Sequence, residues 1–278
     1  MTRTIHNTNF WMSLRRNAVR SVALTVLLST VSVVTKAQSN TAPSPTGVRN
    51  SRGARALNAD QLRMLQQTLR QKTGFTELSF DAQGGLTLGD RERVVGGLAT
   101  ARALVLAALQ SENLYELESH KDSPAVAFAQ INEVADEVNG KTGKRMTIFQ
   151  VQLDFADFDR LGGPHEAKAS FEIGIALLHE LVHGVLKLPD PQGGRLDEIG
   201  ECDAHVNQMR RQLHLPERLF YHPNINVAQI KTGRVVCASL EFADSHKQYR
   251  LSWRADHVSP AARNIAQLQQ GLVMAKNR

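Results

Sequence analysis

Residues 167–189 read AKASFEIGIALLHELVHGVLKLP, and the architecture turns on how this stretch folds. Ile173, Ile175, Ala176, Leu177, Leu178, Leu181, Val182, Val185 and Leu186 make it apolar on almost every side. Pro189 cannot continue a helix, so a long buried helix is expected from about Ala167 to Leu188. Three polar groups interrupt it, as His179-Glu180-Leu181-Val182-His183. Helical positions i and i+4 lie on one face about 5–6 Å apart, so both imidazoles can reach one cation. Glu180 is rotated to the side of the pair, where its carboxylate can reach a water at the cation instead of the cation itself. That placement suits a base that takes a proton from water and hands it to a leaving amine. Zinc fits the donor set, because it brings the pKa of a bound water to about 7 and polarises a carbonyl without redox chemistry.

With 10 His in 278 residues, a shuffled chain would hold this pattern only about 0.02 times. The competing reading is a pair of core histidines with Glu180 paired to a base. Burying three such groups in so apolar a helix is costly without a partner. The segment resembles the active-site helix of the zincin superfamily of zinc metallopeptidases. The resemblance implies His179 and His183 as ligands of one zinc per chain, Glu180 as general base, and a peptide or protein substrate. It further implies a zincin-like α+β catalytic domain, with a mixed or antiparallel sheet packed on this helix and a second helix bearing a ligand. In such a domain the strand Phe149–Phe155 would stand at the sheet edge beside the cleft.

The third ligand is less sharply marked. The metzincin continuation is absent, since Gly184-Val185-Leu186-Lys187-Leu188-Pro189 follows His183. An acidic helix comes instead, with Asp197, Glu198, Glu201 and Asp203. This is similar to the gluzincin arrangement, which implies Glu201, 18 residues after His183, as the third ligand. Asp203, Glu198 and His205 are the alternatives, and Asp197 is a candidate to orient a ligand from behind. A donor to the oxyanion is also required; Tyr221 and His222 are the named candidates among Tyr221, His222, Tyr249, Arg254 and His257.

Working outward, Asn58 reads as the cap of a helix carrying Leu62, Leu65 and Leu69, stopped by Gly74. Phe75–Phe80 and Leu86–Leu88 flank Gly84-Gly85 as a hairpin, and Leu98–Leu109 reads as a buried helix. Tyr115 and Leu117 alternate with acids as a half-exposed strand. Phe149, Val151, Leu153 and Phe155 alternate with polar residues as a strand with one buried face. A helix is expected from about Asp197 to Leu213, strands at Arg234–Phe242 and Gln248–Trp253, and a last helix from Pro260. Strands before a helical centre argue for the α+β class. Residues 57–278 are read as one domain, a sheet part at 57–165 and a helical and C-terminal part at 166–278. Asp154, Asp157 and Asp159 lack the spacing of a calcium loop and read as a solvated turn.

The net charge of +6 suggests nucleic acid at first sight. Arg3, Arg15, Arg16, Arg20 and Lys36 account for most of it, with no acid among the first 37 residues; the remainder holds 28 basic and 27 acidic groups. A broad phosphate-binding surface is therefore not expected. Those basic residues, the apolar run Ser21–Val34 and the small residues near Ala37 read as a bacterial-type secretory signal at 1–37, with an uncleaved N-terminal anchor as the alternative. The run is too short to span a bilayer comfortably, so a periplasmic or secreted protein without stable membrane insertion is expected. Residues 38–56 are rich in Ser, Asn, Pro, Gly and Arg and read as a disordered linker. Cys202 and Cys237, the only cysteines, either close a disulfide loop of about 35 residues or stand as separate thiols.

Overall fold

A computed structural model describes residues 46–123, 125–140, 142–191, 198–230 and 233–255, with the main chain alone at 227–230 and 233–235. All of these belong to one compact unit, residues 42–278. The expected signal at 1–37, the helix expected from Pro260 and Asp197 lie outside the described residues.

The chain enters as a short strand, β1 (Gly47–Asn50), inside the stretch expected to be a disordered linker. Val48 is buried and β1 pairs in parallel with a later strand, so tertiary burial overrides a polar local composition. Asn58 then caps α1 (Ala59–Thr73) in a reciprocal box with Gln61, and Gly74 ends it in the left-handed conformation at φ 78°. The hairpin β2 (Leu78–Phe80) and β3 (Leu86–Leu88) follows, and then the buried helix α2 (Ala99–Gln110), both as expected.

Next come β4 (Leu114–His120), β5 (Ala129–Val138) and β6 (Arg145–Asp154). With β1 they form a mixed sheet in the order β1-β4-β6-β5, where only β5 runs antiparallel to its neighbour. The strand expected at the sheet edge, now β6, is paired on both sides. The terminal strand is β5, whose ladder slips between Glu133 and Ala135. Short helices α3 (Phe155–Asp159) and α4 (His165–Ser170) lead into α5 (Ile173–Leu181), which continues as a π-helical turn at Val182–Leu186. The single helix expected from Ala167 to Leu188 is thus broken at Phe171 and widened at its end.

After α6 (Gly200–Gln212), the strands β7 (Glu217–Arg218), β8 (Asn224–Ile230), β9 (Gly233–Ala243) and β10 (Gln248–Arg254) build a second antiparallel sheet around β9. The class is mixed α+β. One core joins α1, α2, α5 and α6 to the first sheet through Leu65, Leu69, Val105, Tyr115, Leu177 and Val206. A second core lies on β9 and β10, where Phe128 meets Phe158, Phe171 and Trp253 edge-on at 5.0–5.4 Å. The segment His165–Leu186 is apolar and long enough to cross a membrane, and 67% of its most apolar window is buried inside the fold. Core helices share that composition.

One close approach sets the height of the histidine helix over the sheet. A Cβ on Gly184 would stand 2.5 Å from Tyr115 Cε1 and 3.0 Å from Ile131 Cδ1. Only glycine lets the turn after His183 lie flat on β4 and β5, where Tyr115 donates to the Gly184 carbonyl at 3.3 Å.

Candidate metal centre

His179 and His183 project from the same face, one turn apart across the junction of α5 and its π-helical extension, with their Nε2 atoms 3.1 Å apart. The opposite ring nitrogens face the protein. His183 Nδ1 lies 2.6 Å from the Leu188 carbonyl, an acceptor only, so Nδ1 carries the hydrogen and Nε2 presents a lone pair. His179 Nδ1 lies 3.5 Å from Cys202 Sγ and 3.8 Å from Asp203 Oδ1, which favours the same tautomer.

The third group is Asp190. Lys187 adopts the left-handed conformation at φ 58° and turns the chain back on the helix it has just left. The Pro189 carbonyl accepts from the Cys202 amide at 3.3 Å, and Pro191 packs where a Cβ on Gly200 would be, only 2.5 Å from its ring Cδ. Between these anchors Asp190 points inward, with Oδ1 3.5 Å from His179 Nε2 and Oδ2 3.3 Å from His183 Nε2. Ligand atoms held 2.0–2.1 Å from one ion at tetrahedral angles are about 3.4 Å apart. Separations of 3.1, 3.3 and 3.5 Å match that spacing, so the residues present fit a zinc ion.

Glu201, the expected third ligand, does not join them. Gly200 opens α6 at φ 75°, which turns Glu201 to solvent and aims Cys202 and Asp203 at His179 instead. Glu198 and His205 are likewise outside the ligand cluster, which comprises His179, His183, Asp190 and Cys202. Within it Cys202 stands apart. Its sulfur contacts the Nδ1 side of His179 and the His179 carbonyl at 3.6 Å, behind the ring from the Nε2 atoms that face Asp190. Cys202 and Cys237 are both free thiols, so the disulfide alternative is not realised.

Burial raises the Glu180 carboxyl above its usual range, opposed by His179 and His183. Burial likewise disfavours the Asp190 anion, yet His179, His183 and Tyr221 together hold it well below the usual carboxylate range. His183 is depressed by burial but raised on balance to about 8, chiefly by Asp190. Burial raises the Cys202 thiol, and nearby Asp190 and Asp203 add to the shift. Asp203 is wholly buried and stays ionised against burial through Arg218, His179 and Arg210.

Tyr221 reaches the site, but as a partner of Asp190: its hydroxyl donates to Asp190 Oδ2 at 2.7 Å. His222 stands edge-on to Tyr221 at 5.1 Å, and its Nε2 is buried with no hydrogen-bond partner among the described residues. Asp190 was missed because it follows Pro189 and heads a polar, Gly-rich stretch that reads as a connector. The available signal was its distance of only seven residues from His183, within reach of a single chain reversal. Compared with protein-family models, characterised proteins and solved structures, the chain matches none.

Proposed function

We propose that the chain is a secreted zinc-dependent hydrolase, in the first place a peptidase with a zincin-like catalytic unit. The triangle of His179 Nε2, His183 Nε2 and the Asp190 carboxylate carries this reading, because its sides suit one ion of tetrahedral preference. His179, His183 and Asp190 would hold zinc, which when bound supplies an acidified water and polarises the substrate carbonyl. Glu180 follows His179 directly on α5 and is buried beside both imidazoles, where a carboxylate of raised pKa is suited to take up a proton and release it. His222 has a ring nitrogen left over to donate to an oxyanion, whereas the Tyr221 hydroxyl is already committed to Asp190. β5, next to α5, pairs on one side only among the described residues, and its other side would offer main-chain groups to an extended peptide.

A second reading has one observation in its favour. Cys202 Sγ lies within the same 4.8 Å cluster, and four protein ligands would make a closed structural zinc site without turnover. The sulfur's position behind His179 weighs against it. Two variants separate the readings. Glu180→Gln should keep zinc and lose metal-dependent cleavage of a quenched peptide library by at least a hundredfold, and full activity would remove Glu180 from its role. Cys202→Ser should keep zinc; loss of the metal in that variant would instead support the closed site.

A further inference from the structure

Behind the three candidate ligands, two separate supports converge on one side chain. Asp203 stands behind His179, 3.8 Å from Nδ1, and Tyr221 stands behind Asp190 with its hydroxyl 2.7 Å from Oδ2. One guanidinium bonds to both. Arg218 Nη1 donates to Asp203 Oδ2 at 2.8 Å, and Nη2 of the same guanidinium donates to the Tyr221 carbonyl. Its Nε donates to the Phe220 carbonyl at 3.0 Å, and the guanidinium carbon lies 5.2 Å from the centre of the Tyr221 ring. The Arg218 main chain is fastened to α6 in both directions by Asn207, whose Oδ1 accepts from the Arg218 amide and whose Nδ2 donates to its carbonyl, both at 2.9 Å.

We propose that Arg218 is a shared brace of the metal centre, a positioning residue that sets the His179 arm through Asp203 and the Asp190 arm through Tyr221. The chemistry favours arginine here. A planar guanidinium can make three directed hydrogen bonds to two carbonyls and a carboxylate at once, whereas an ammonium on a flexible stem cannot hold all three directions. Arg210 supports Asp203 from the other side, with Nη1 3.1 Å from Oδ1, but its remaining bonds go to Ser170 and Asn207 and not to the Tyr221 segment. Arg218 alone among the described residues bonds to both supports. The inference rests on His179, His183 and Asp190 holding a metal, as proposed above.

The test reads metal binding and not turnover. Zinc affinity of the purified protein is measured by competition with a chromogenic chelator, and ligand geometry by the visible spectrum of the cobalt-substituted form. Wild type, Arg218→Lys, Tyr221→Phe and the double variant are compared after far-ultraviolet circular dichroism has shown each to be folded. Outer-shell changes of this kind cost 10–100-fold in metal affinity. Arg218→Lys should show a loss in that range with an altered cobalt spectrum. If Arg218 acts on Asp190 through Tyr221, the same change should cost markedly less in the Tyr221→Phe background. A folded Arg218→Lys protein with zinc affinity within twofold of wild type and an unchanged cobalt spectrum overturns the brace while leaving the metal site standing. Should Arg218→Lys not fold, a folded Arg218→Gln variant takes its place: about tenfold weaker zinc binding with an altered cobalt spectrum supports the brace, and wild-type affinity with an unchanged spectrum overturns it. Wild type that binds no zinc overturns the metal site itself, and the brace with it, before any variant is examined.

Discussion

Asp190 faces His183 across the end of the helix, Oδ2 3.3 Å from Nε2, although the chain has left the helix and reversed direction between them. The reversal brings a carboxylate to two imidazoles whose outer nitrogens are already occupied by Leu188 and by the Cys202–Asp203 pair. In the proposed zinc site the third ligand would then come from a seven-residue turn and not from the next helix.

The contrast between two acids follows directly. Asp190→Ala should weaken zinc binding by at least a hundredfold, because it removes the carboxylate that closes the proposed triangle with the two imidazoles. Glu201→Ala should leave zinc affinity unchanged within twofold, since that side chain is turned to solvent. Chelator competition on both variants checks this; the opposite ranking would return the third ligand to α6.

The contact beneath the helix predicts a stability effect. Gly184→Ala places a methyl 2.5 Å from the Tyr115 ring, and buried backbone and a stacked Tyr115–Phe149 pair leave little room to yield. Overpacking of this kind costs about 1–3 kcal/mol. Urea unfolding should show a loss of that size. An unchanged midpoint would mean that the helix does not lie as close to β4 and β5 as described.

A pH effect is expected at Asp157 on α3. Asp154 and Asp157, expected in a solvated turn, are buried; burial pushes the Asp157 carboxyl up to about 6, with Asp154 and Asp122 adding to the shift and the Phe128 amide and Arg160 opposing it. The native state then holds this proton more tightly than the unfolded chain, where an aspartate titrates near pH 4. Its contribution to stability is full below about pH 4 and is lost as pH rises through about 6. Asp157→Asn should flatten the fall in unfolding free energy between those values, measured by urea titration at several pH values. Equal slopes in the two proteins would contradict it.

Much of this fold was legible in the sequence wherever local chemistry and tertiary environment agree. Asn58 and Gly74 bracket α1 because cap and stop are short-range hydrogen-bonding and steric effects. The histidine pair was legible because i, i+4 spacing needs nothing beyond one helix. What escaped depends on long-range geometry. Strand β5 was not anticipated, since the slip between Glu133 and Ala135 breaks the alternation of its side chains. Strand β1 hid in a polar stretch because only its parallel partner β4 buries Val48. Glu201 and Asp203 sit two residues apart on one helix, and which of them faces His179 depends on where Gly200 starts the first turn. Asp190 required a left-handed Lys187, a conformation that no residue preference at that position announces.

The central claim is a zinc ion held by His179, His183 and Asp190, and metal analysis of the purified protein tests it most directly. Wild type should carry about one zinc per chain, and His183→Ala, produced in parallel and shown to be folded, should carry almost none. Wild-type protein that takes up no zinc even when the metal is supplied and the excess gently removed would contradict the account, and the two histidines would then be a half-buried pair without a metal.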